Sequence, residues 1–303
     1  MGTADESRER TYMSSTESDA EAARLVHQDQ FITATTGMLP RGLILRDGQR
    51  VLDVACGPGG WACVLARSHP EVQVVGVDIG QAMIDHATTA AREQDLSNVS
   101  FHLLDVTGPW ELPDASFDLV NARLMVGFLT DEKWRHAIGE IMRVLVPGGT
   151  VVLTENDDVL ASSLALETLK LHVYRSARRA GLSHHPLGHH FGITPLLGRY
   201  LREAGFAEIQ QEAHVLDYSA GMPGHRAVTE VIKAGTRLVQ PFIVRQGLAT
   251  QQELDGLHER SIDEMESPDF RGLWYFLRIW GGKPVGPEDS RPGSMDDRSG
   301  TTR

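Results

Sequence analysis

Between residues 50 and 157, short apolar and β-branched runs alternate with segments of helical periodicity. The runs predict five strands, at residues 50–55, 72–77, 99–104, 117–121 and 150–155. Helices are predicted to begin between them, near Gly60, Gln81 and Asp131. Such alternation is typical of a parallel sheet, because parallel neighbours need long crossover connections that cover the faces of the sheet.

The rest of the chain predicts additions to this sheet. Residues 159–180 have the pattern of a helix, 181–192 form a loop rich in Pro, Gly and His, and 194–205 and much of 222–266 are again helical. Two further strands are predicted at residues 208–218 and 272–280. The prediction is an α/β fold: a Rossmann-like, seven-stranded, mostly parallel sheet with helices on both faces, plus a helical cap from inserts.

The predicted organisation divides the chain into a core with additions on either side. The segments are a flexible tail at 1–18, a leading helical lid at 19–48, a cofactor-binding core at 49–157, an insert or cap at 158–192, the rest of the sheet at 193–285 with a helical insert at 222–268, and a flexible tail at 286–303.

Composition limits the classes of function. The formal net charge is −12, which disfavours a nucleic-acid partner, and no tract of 18 apolar residues is present to span a membrane. Cys56 and Cys63 are seven residues apart, a spacing of neither a redox pair nor a zinc knuckle. With a polar N-terminus and two cysteines that we expect to be reduced, the sequence predicts a cytoplasmic protein without membrane or nucleic-acid partners.

The first predicted strand runs through Asp53 and Ala55 into a glycine loop that contains Gly57 and Gly59. Glycines let a ligand approach the backbone, and the following helix offers free N–H groups. The second and third strands end at Asp78 and Asp105, where carboxylates can bind ribose hydroxyls and an exocyclic adenine amine. The pattern therefore predicts a nucleotide-like ligand at the carboxyl edge of the sheet.

Two cofactors fit this pattern. Gly57 to Ala62 also matches the Gly-x-Gly-x-x-Gly/Ala fingerprint of dinucleotide sites, with Asp78 at a suitable distance. Asp53 favours the other possibility, because a carboxylate before the loop suits a cationic amino-acid moiety and repels a pyrophosphate.

The strings VLDVACGPGG, VVGVDIGQAM, FHLLDV, FDLVNARLM and VLVPGGTVVLTEND resemble, in order and spacing, the motifs of class I S-adenosylmethionine-dependent methyltransferases. The resemblance covers residues 49–157 and departs from the family at Ala55, where a glycine is usual. It implies S-adenosyl-L-methionine as cofactor and S-adenosyl-L-homocysteine as product. The cofactor-binding residues it implies are Asp53, Ala55, Gly57 and Gly59 for the methionine portion, Asp78 for ribose, Ile79 and Met83 for the adenine face, Asp105 and Val106 for the adenine edge, and Asn121 and Arg123 around the methyl group.

A narrower resemblance, to a bacterial small-molecule subgroup, is carried by the leading segment and by Arg123-Leu124-Met125. It implies that Tyr12 and the leading helix lie over the cofactor. Arg24 and Gln28 share a face of that helix, which is either a solvated face or a ligand contact.

Catalytic residues carry no fixed signature in methyl transfer, because the protein mainly aligns the nucleophile with an already activated methyl group. Glu155, after the fifth strand, is a candidate base. His189, in the string His184-His185-Pro186-Leu187-Gly188-His189-His190, is a second candidate. That string could also be an ordinary loop or a pocket wall, and its spacing does not predict a metal site.

The methyl acceptor is predicted to be a small molecule. The segment after the fourth strand is Asn121-Ala122-Arg123-Leu124 and lacks the Pro-Pro-aromatic motif of amino-group methyltransferases that act on DNA adenine or protein glutamine. The predicted function is in-line methyl transfer to O, N or C of a metabolite, with secondary metabolism as context. The alternatives are a cofactor-retaining enzyme that does not methylate, such as a cyclase, and a nicotinamide-dependent oxidoreductase. The predicted partners are the small-molecule acceptor and, as an option for the quaternary structure, a second copy of the chain in a homodimer.

Overall fold

The computed structural model describes residues 19–286. The predicted N-terminal tail, with Tyr12, and residues 287–303 lie outside this range. The strands are β1 (Arg50–Val54), β2 (Gln73–Asp78), β3 (Val99–Leu103), β4 (Phe117–Arg123), β5 (Leu145–Glu155), β6 (Val159–Ala161), β7 (Ala207–Asp217) and β8 (Gly272–Gly282). The helices are α1 (Asp19–Thr36), α2 (Gly60–Ser68), α3 (Gln81–Glu93), α4 (Asp131–Val144), α5 (Leu164–Arg179), α6 (Thr194–Glu203), α7 (His225–Leu238), α8 (Gln240–Arg245) and α9 (Gln251–Glu266), with a 3₁₀ turn at Met125–Gly127.

One mixed sheet organises the molecule. Strands β3, β2, β1, β4 and β5 lie side by side in parallel, and β8 follows antiparallel to β5, with β7 antiparallel to β8. The short β6 pairs with residues 272–274 of β8, whereas β5 pairs with residues 277–282, so β6 continues the line of β5. The predicted fold class is confirmed, and within residues 19–286 the sheet has one short strand more than predicted.

Alternate residues of the parallel strands enter two different cores. Leu52 and Val120 pack into a cluster with α4 and α6, while Val51 and Leu119 pack against α2 on the other face. This is the period of two that a strand imposes when both of its faces are covered. Helices on both faces therefore leave the carboxyl edge of the strands as the place for a ligand.

The helix predicted from residue 159 begins later, at Leu164. Ser163 caps it by accepting the Leu166 N–H at 3.0 Å, and Val159 lies in β6 opposite Trp274. Helical periodicity alone missed this boundary, because the residues before the serine have apolar side chains that suit either structure.

A third core joins the additions to one another. Phe31 and Ile32 of α1 pack with Val231 of α7 and with Trp274 and Phe276 of β8. We call α1, α5 and α7 the cap. No helix within residues 19–286 has the length and apolar character that crossing a membrane requires.

Candidate functional site

The floor of the site is formed by neighbouring residues of β1 and β4. Asp53 lies opposite Asn121 in the register of these strands, and the Asn121 Nδ2 donates to Asp53 Oδ1 at 2.7 Å. The other carboxylate oxygen, Oδ2, is buried and has no hydrogen-bond partner among residues 19–286. Burial raises the pKa of Asp53 to about 7, against the opposing effects of Arg123 and Asn121. An unsatisfied buried carboxylate oxygen is costly, and a cationic or hydrogen-bond-donating ligand would offset that cost.

The glycine loop is held by the carboxylate at the end of β2. Asp78 accepts the N–H of Gly57 and the N–H of Gly80, both at 2.9 Å. Gly57 and Gly59 have positive φ angles of 54° and 78°. A Cβ on Gly59 would come within 2.7 Å of the Ala87 side chain, so this glycine is required by packing, whereas Gly57 is required by its backbone conformation.

A small recess opens beside Asp78 at the end of β3. It is lined by Ala55, Asp78, Ile79, Leu104, Asp105, Val106, Thr107 and Phe128. The carboxylate of Asp105 is fixed by the N–H and hydroxyl of Thr107, at 2.9 and 2.7 Å. This arrangement, an acidic edge beside an apolar slot, has the chemistry of a purine site. Met83 is buried within α3 and does not line the recess, so the structure does not bring it to this site and its contact with adenine stays a prediction.

Helix α1 lies over the loop. The Arg123 guanidinium pairs with Asp29 and donates to Thr33 Oγ1 at 3.1 Å, which ties β4 to α1. Arg24 donates to Gln28 at 2.6 Å, and both of these residues line the cavity. The shared face of Arg24 and Gln28 therefore belongs to the site.

Beneath the cap is a cavity of about 360 Å³, within the range of small-molecule sites. One end is lined by Asp53, Ala55, Asp78 and Arg123 and the other by side chains of both inserts. The lining from the inserts and the cap includes the apolar residues Ile32, Leu166, Val173, Val231, Ile232 and Val239, and also Lys170 and Tyr174; Trp274 of β8 adds to the apolar wall. The sequence analysis missed Lys170 and Tyr174; their i, i+4 spacing on one face of a helix was the only available signal.

Glu155 does not line the cavity. It is fully buried, and its two carboxylate oxygens accept the N–H groups of Met125 and Val126 at 2.7 and 3.3 Å. Burial raises the pKa of this carboxyl well above its usual range. Glu155 therefore fixes the 3₁₀ turn after β4. The structure does not place it at the cavity, and its role as a base stays a prediction.

His189 lies in the histidine-rich loop at residues 181–192 and is exposed. Its ring stacks on His185 with centroids 5.4 Å apart, and it does not line the cavity. The structure therefore does not place this candidate base near the site. Of that loop, Phe191 reaches the cavity wall. Within residues 19–286, no group of three or more His, Cys, Asp or Glu side chains is arranged to hold a metal ion.

The charged residues around the glycine loop distinguish the two candidate cofactors. A pyrophosphate would occupy the N-terminus of α2. The Asp29 carboxylate lies at that position, because a methyl group on Gly60 would overlap it, and Asp53 lines the same cavity. The residues present fit a ligand with a cationic amino-acid portion and a nucleoside, and they do not fit a dinucleotide.

Comparisons with known proteins agree with this geometry. A family described as a methyltransferase domain matches residues 51–149. An uncharacterized methyltransferase of Schizosaccharomyces pombe is 31% identical over 176 residues, 56% of this chain and 58% of that protein. A 27-O-demethylrifamycin SV methyltransferase of Amycolatopsis mediterranei is 36% identical over 137 residues, 45% of this chain and 47% of that protein.

The chain thus spans only about half the length of these curated relatives. Among solved structures, that of the cyclase SpnF has a TM-score of 0.50 and 25% identity, and the match covers 86% of this chain and 82% of that one. Residues 51–149 of this chain form a methyltransferase domain of the class I S-adenosylmethionine-dependent family.

Proposed function

We propose that this protein transfers a methyl group from S-adenosylmethionine to a small, largely apolar acceptor. The observation that carries the proposal is the buried, unpaired Oδ2 of Asp53 in the wall of a cavity that extends from the glycine loop to the cap. The cofactor's ammonium and sulfonium groups are cationic, which suits that oxygen.

Different residues of the chain would bind different parts of the cofactor. Asp53 would hold the methionine portion and Asp78 the ribose hydroxyls, while Asp105 and Val106 would border the adenine in the small recess. When bound, S-adenosylmethionine supplies a methyl group on a good leaving group. The protein then has to align the acceptor and exclude water, and the apolar side chains of α1, α5 and α7 suit both tasks.

The proposed acceptor class rests on the cap. Its lining is mainly aliphatic and aromatic, which favours an apolar metabolite over a polymer. The relative named for demethylrifamycin supports a small-molecule substrate of secondary metabolism.

A second function, a cyclisation that uses the same fold, is favoured by the structural likeness to the cyclase SpnF. The cavity is not lined by Glu155 or His189, the two candidate bases, which is consistent with a reaction that uses neither of them. The two functions differ in whether the product carries a new methyl group.

The test is incubation of the protein with methyl-labelled S-adenosylmethionine and fractionated metabolites, with products identified by mass spectrometry. Gly57→Val, which forces a branched residue into the positive φ of the loop, is the inactive control. A labelled small molecule that forms with the wild type and not with the variant supports the proposal. Rearranged, unlabelled product with intact cofactor would support the cyclase instead, and no conversion of any fraction would contradict both.

A further inference from the structure

The histidine-rich loop at residues 181–192 is organised around the backbone and the ring of His185. The His185 N–H donates to the Phe191 carbonyl at 3.3 Å. The His185 carbonyl accepts the Gly188 N–H at 3.1 Å and a guanidinium N–H of Arg178 at 3.2 Å. Both backbone groups of this residue therefore connect the two ends of the loop and join it to α5.

The ring of His185 also closes the loop, but it can do so only while it is neutral. Its Nδ1 accepts the backbone N–H groups of Leu187 and His189, both at 3.3 Å. A backbone N–H is always a donor, so Nδ1 must carry a lone pair here. Protonation would turn Nδ1 into a donor facing two donors and would break both hydrogen bonds.

Positive and ionisable groups surround this ring. The centroid of His185 is 5.4 Å from that of His189 and 4.1 Å from that of His190, and Arg178 of α5 lies against its carbonyl. Burial lowers the pKa of His185, and His190, His189 and Arg178 lower it further against the opposing effect of Asp157. The charge of the loop therefore disfavours a proton in the same way as the hydrogen bonds do.

The carboxylate that faces His185 is already engaged elsewhere. The oxygens of Asp157 accept the Ile193 N–H at 2.7 Å and the hydroxyl of Thr194. In addition, Nδ1 of His190 is buried and has no hydrogen-bond partner among residues 19–286. A proton shared between the two stacked rings would thus also meet a site without an acceptor.

The loop is continuous with the wall of the cavity through Phe191. This residue lines the cavity, and its ring packs edge-on against Tyr174 with centroids 5.0 Å apart. Its N–H donates to the Asp157 carbonyl at 3.2 Å, and its carbonyl accepts the N–H groups of His184 and His185 at 2.6 and 3.3 Å. Opening the loop at His185 therefore releases the backbone of a wall residue.

We propose that the histidine-rich loop is an acid-sensitive wall of the cavity, closed while His185 is neutral and opened by its protonation. Because the closed loop excludes a proton that the open loop accepts, closure is complete above the ordinary titration range of histidine and is lost as pH falls through it. Occupation of the cap end of the cavity and protonation of His185 then oppose each other. This inference goes beyond the proposed function and rests on it only in taking the methyl acceptor as the occupant.

Hydrogen exchange of the full chain at pH 5.5 and pH 7.5, measured by mass spectrometry and corrected for the intrinsic pH dependence of exchange, tests the proposal. A histidine that takes up a proton only in the open loop, with its ordinary pKa of about 6.5, raises the open fraction about 10-fold between these pH values. We expect the protection of residues 184–191 to fall by about that factor.

Three variants separate the titration of His185 from its structural role. His185→Asn places an oxygen where Nδ1 accepts and does not titrate, so it should keep the protection of the wild type at pH 7.5 and lose most of the fall. His185→Ala removes the acceptor and should leave the loop poorly protected at both pH values. His27→Asn, at an exposed position of α1, is the control and should show the full fall.

The connection to the cavity is tested with 1-methoxynaphthalene, an apolar probe that is uncharged at both pH values. Since a ligand of the closed state stabilises that state, saturating probe should restore the protection of residues 184–191 at pH 5.5. Equal corrected protection at both pH values, a full fall in His185→Asn, or no restoration by the probe overturns the inference.

A separate titration of S-adenosylhomocysteine at pH 7.5 distinguishes the two proposals. Failure of the nucleoside to bind contradicts the proposed function and leaves the exchange result in place. Nucleoside binding together with a loop that does not respond to pH contradicts only the role of His185.

Discussion

Asp53→Asn should stabilise the protein by an amount that depends on pH. It also removes the carboxylate charge of Asp53 from the proposed cofactor site. Burial raises the pKa of Asp53 from 3.8 to about 7. Between these two pH values the folded state binds more protons than the unfolded state, so the wild type loses stability as pH rises. Since a tenfold change in proton affinity corresponds to about 1.4 kcal/mol, the loss is roughly 4 kcal/mol once pH exceeds 7.

An asparagine avoids this loss because it has no charge to bury, and Asn121 can rotate its amide to pair with it. We therefore expect the advantage of Asp53→Asn in the free energy of unfolding to grow by about 2–3 kcal/mol between pH 5 and pH 8. Urea unfolding of the ligand-free protein at pH 5, 6, 7 and 8 measures it. Asp47→Asn, at an exposed position, is the control. A stability difference that does not change over this pH range would refute the raised pKa.

Three further changes have defined outcomes. Gly59→Ala should cost about 2–4 kcal/mol of unfolding free energy, because it adds a steric overlap to the strain of a positive φ; Gly42→Ala, with a positive φ and open space around it, should cost about 1–2 kcal/mol in the same urea assay. Arg123→Gln removes the ion pair to α1 and should speed amide hydrogen exchange in that helix relative to α4. Cys56, whose thiol pKa burial raises, should resist iodoacetamide at pH 7.5 until urea unfolds the protein.

The parallel half of the sheet was predictable because its strands are buried on both faces and therefore stand out as apolar runs. The shared location of the carboxylates at the strand ends was predictable as well, because parallel strands have their carboxyl ends at the same edge of the sheet. The structure places Asp53, Asp78 and Asp105 around the cavity and its recess.

The sequence could not place side chains whose positions depend on contacts between distant segments. Glu155 has the sequence context of a site residue, yet the N–H groups of the turn after β4 engage its carboxylate. Met83, which the family resemblance assigns to the adenine face, is buried in α3 and does not line the recess. Helical periodicity shows which face is inward but not which neighbours it meets.

Calorimetric titration of the purified protein with S-adenosylmethionine, S-adenosylhomocysteine and reduced nicotinamide dinucleotide tests the central claim most directly. The account predicts dissociation constants on the order of micromolar for both sulfur nucleosides and no binding of the dinucleotide, because the Asp29 carboxylate lies at the N-terminus of α2 and Asp53 lines the same cavity, where both would repel a pyrophosphate. Binding of the dinucleotide, or of neither nucleoside, would contradict it.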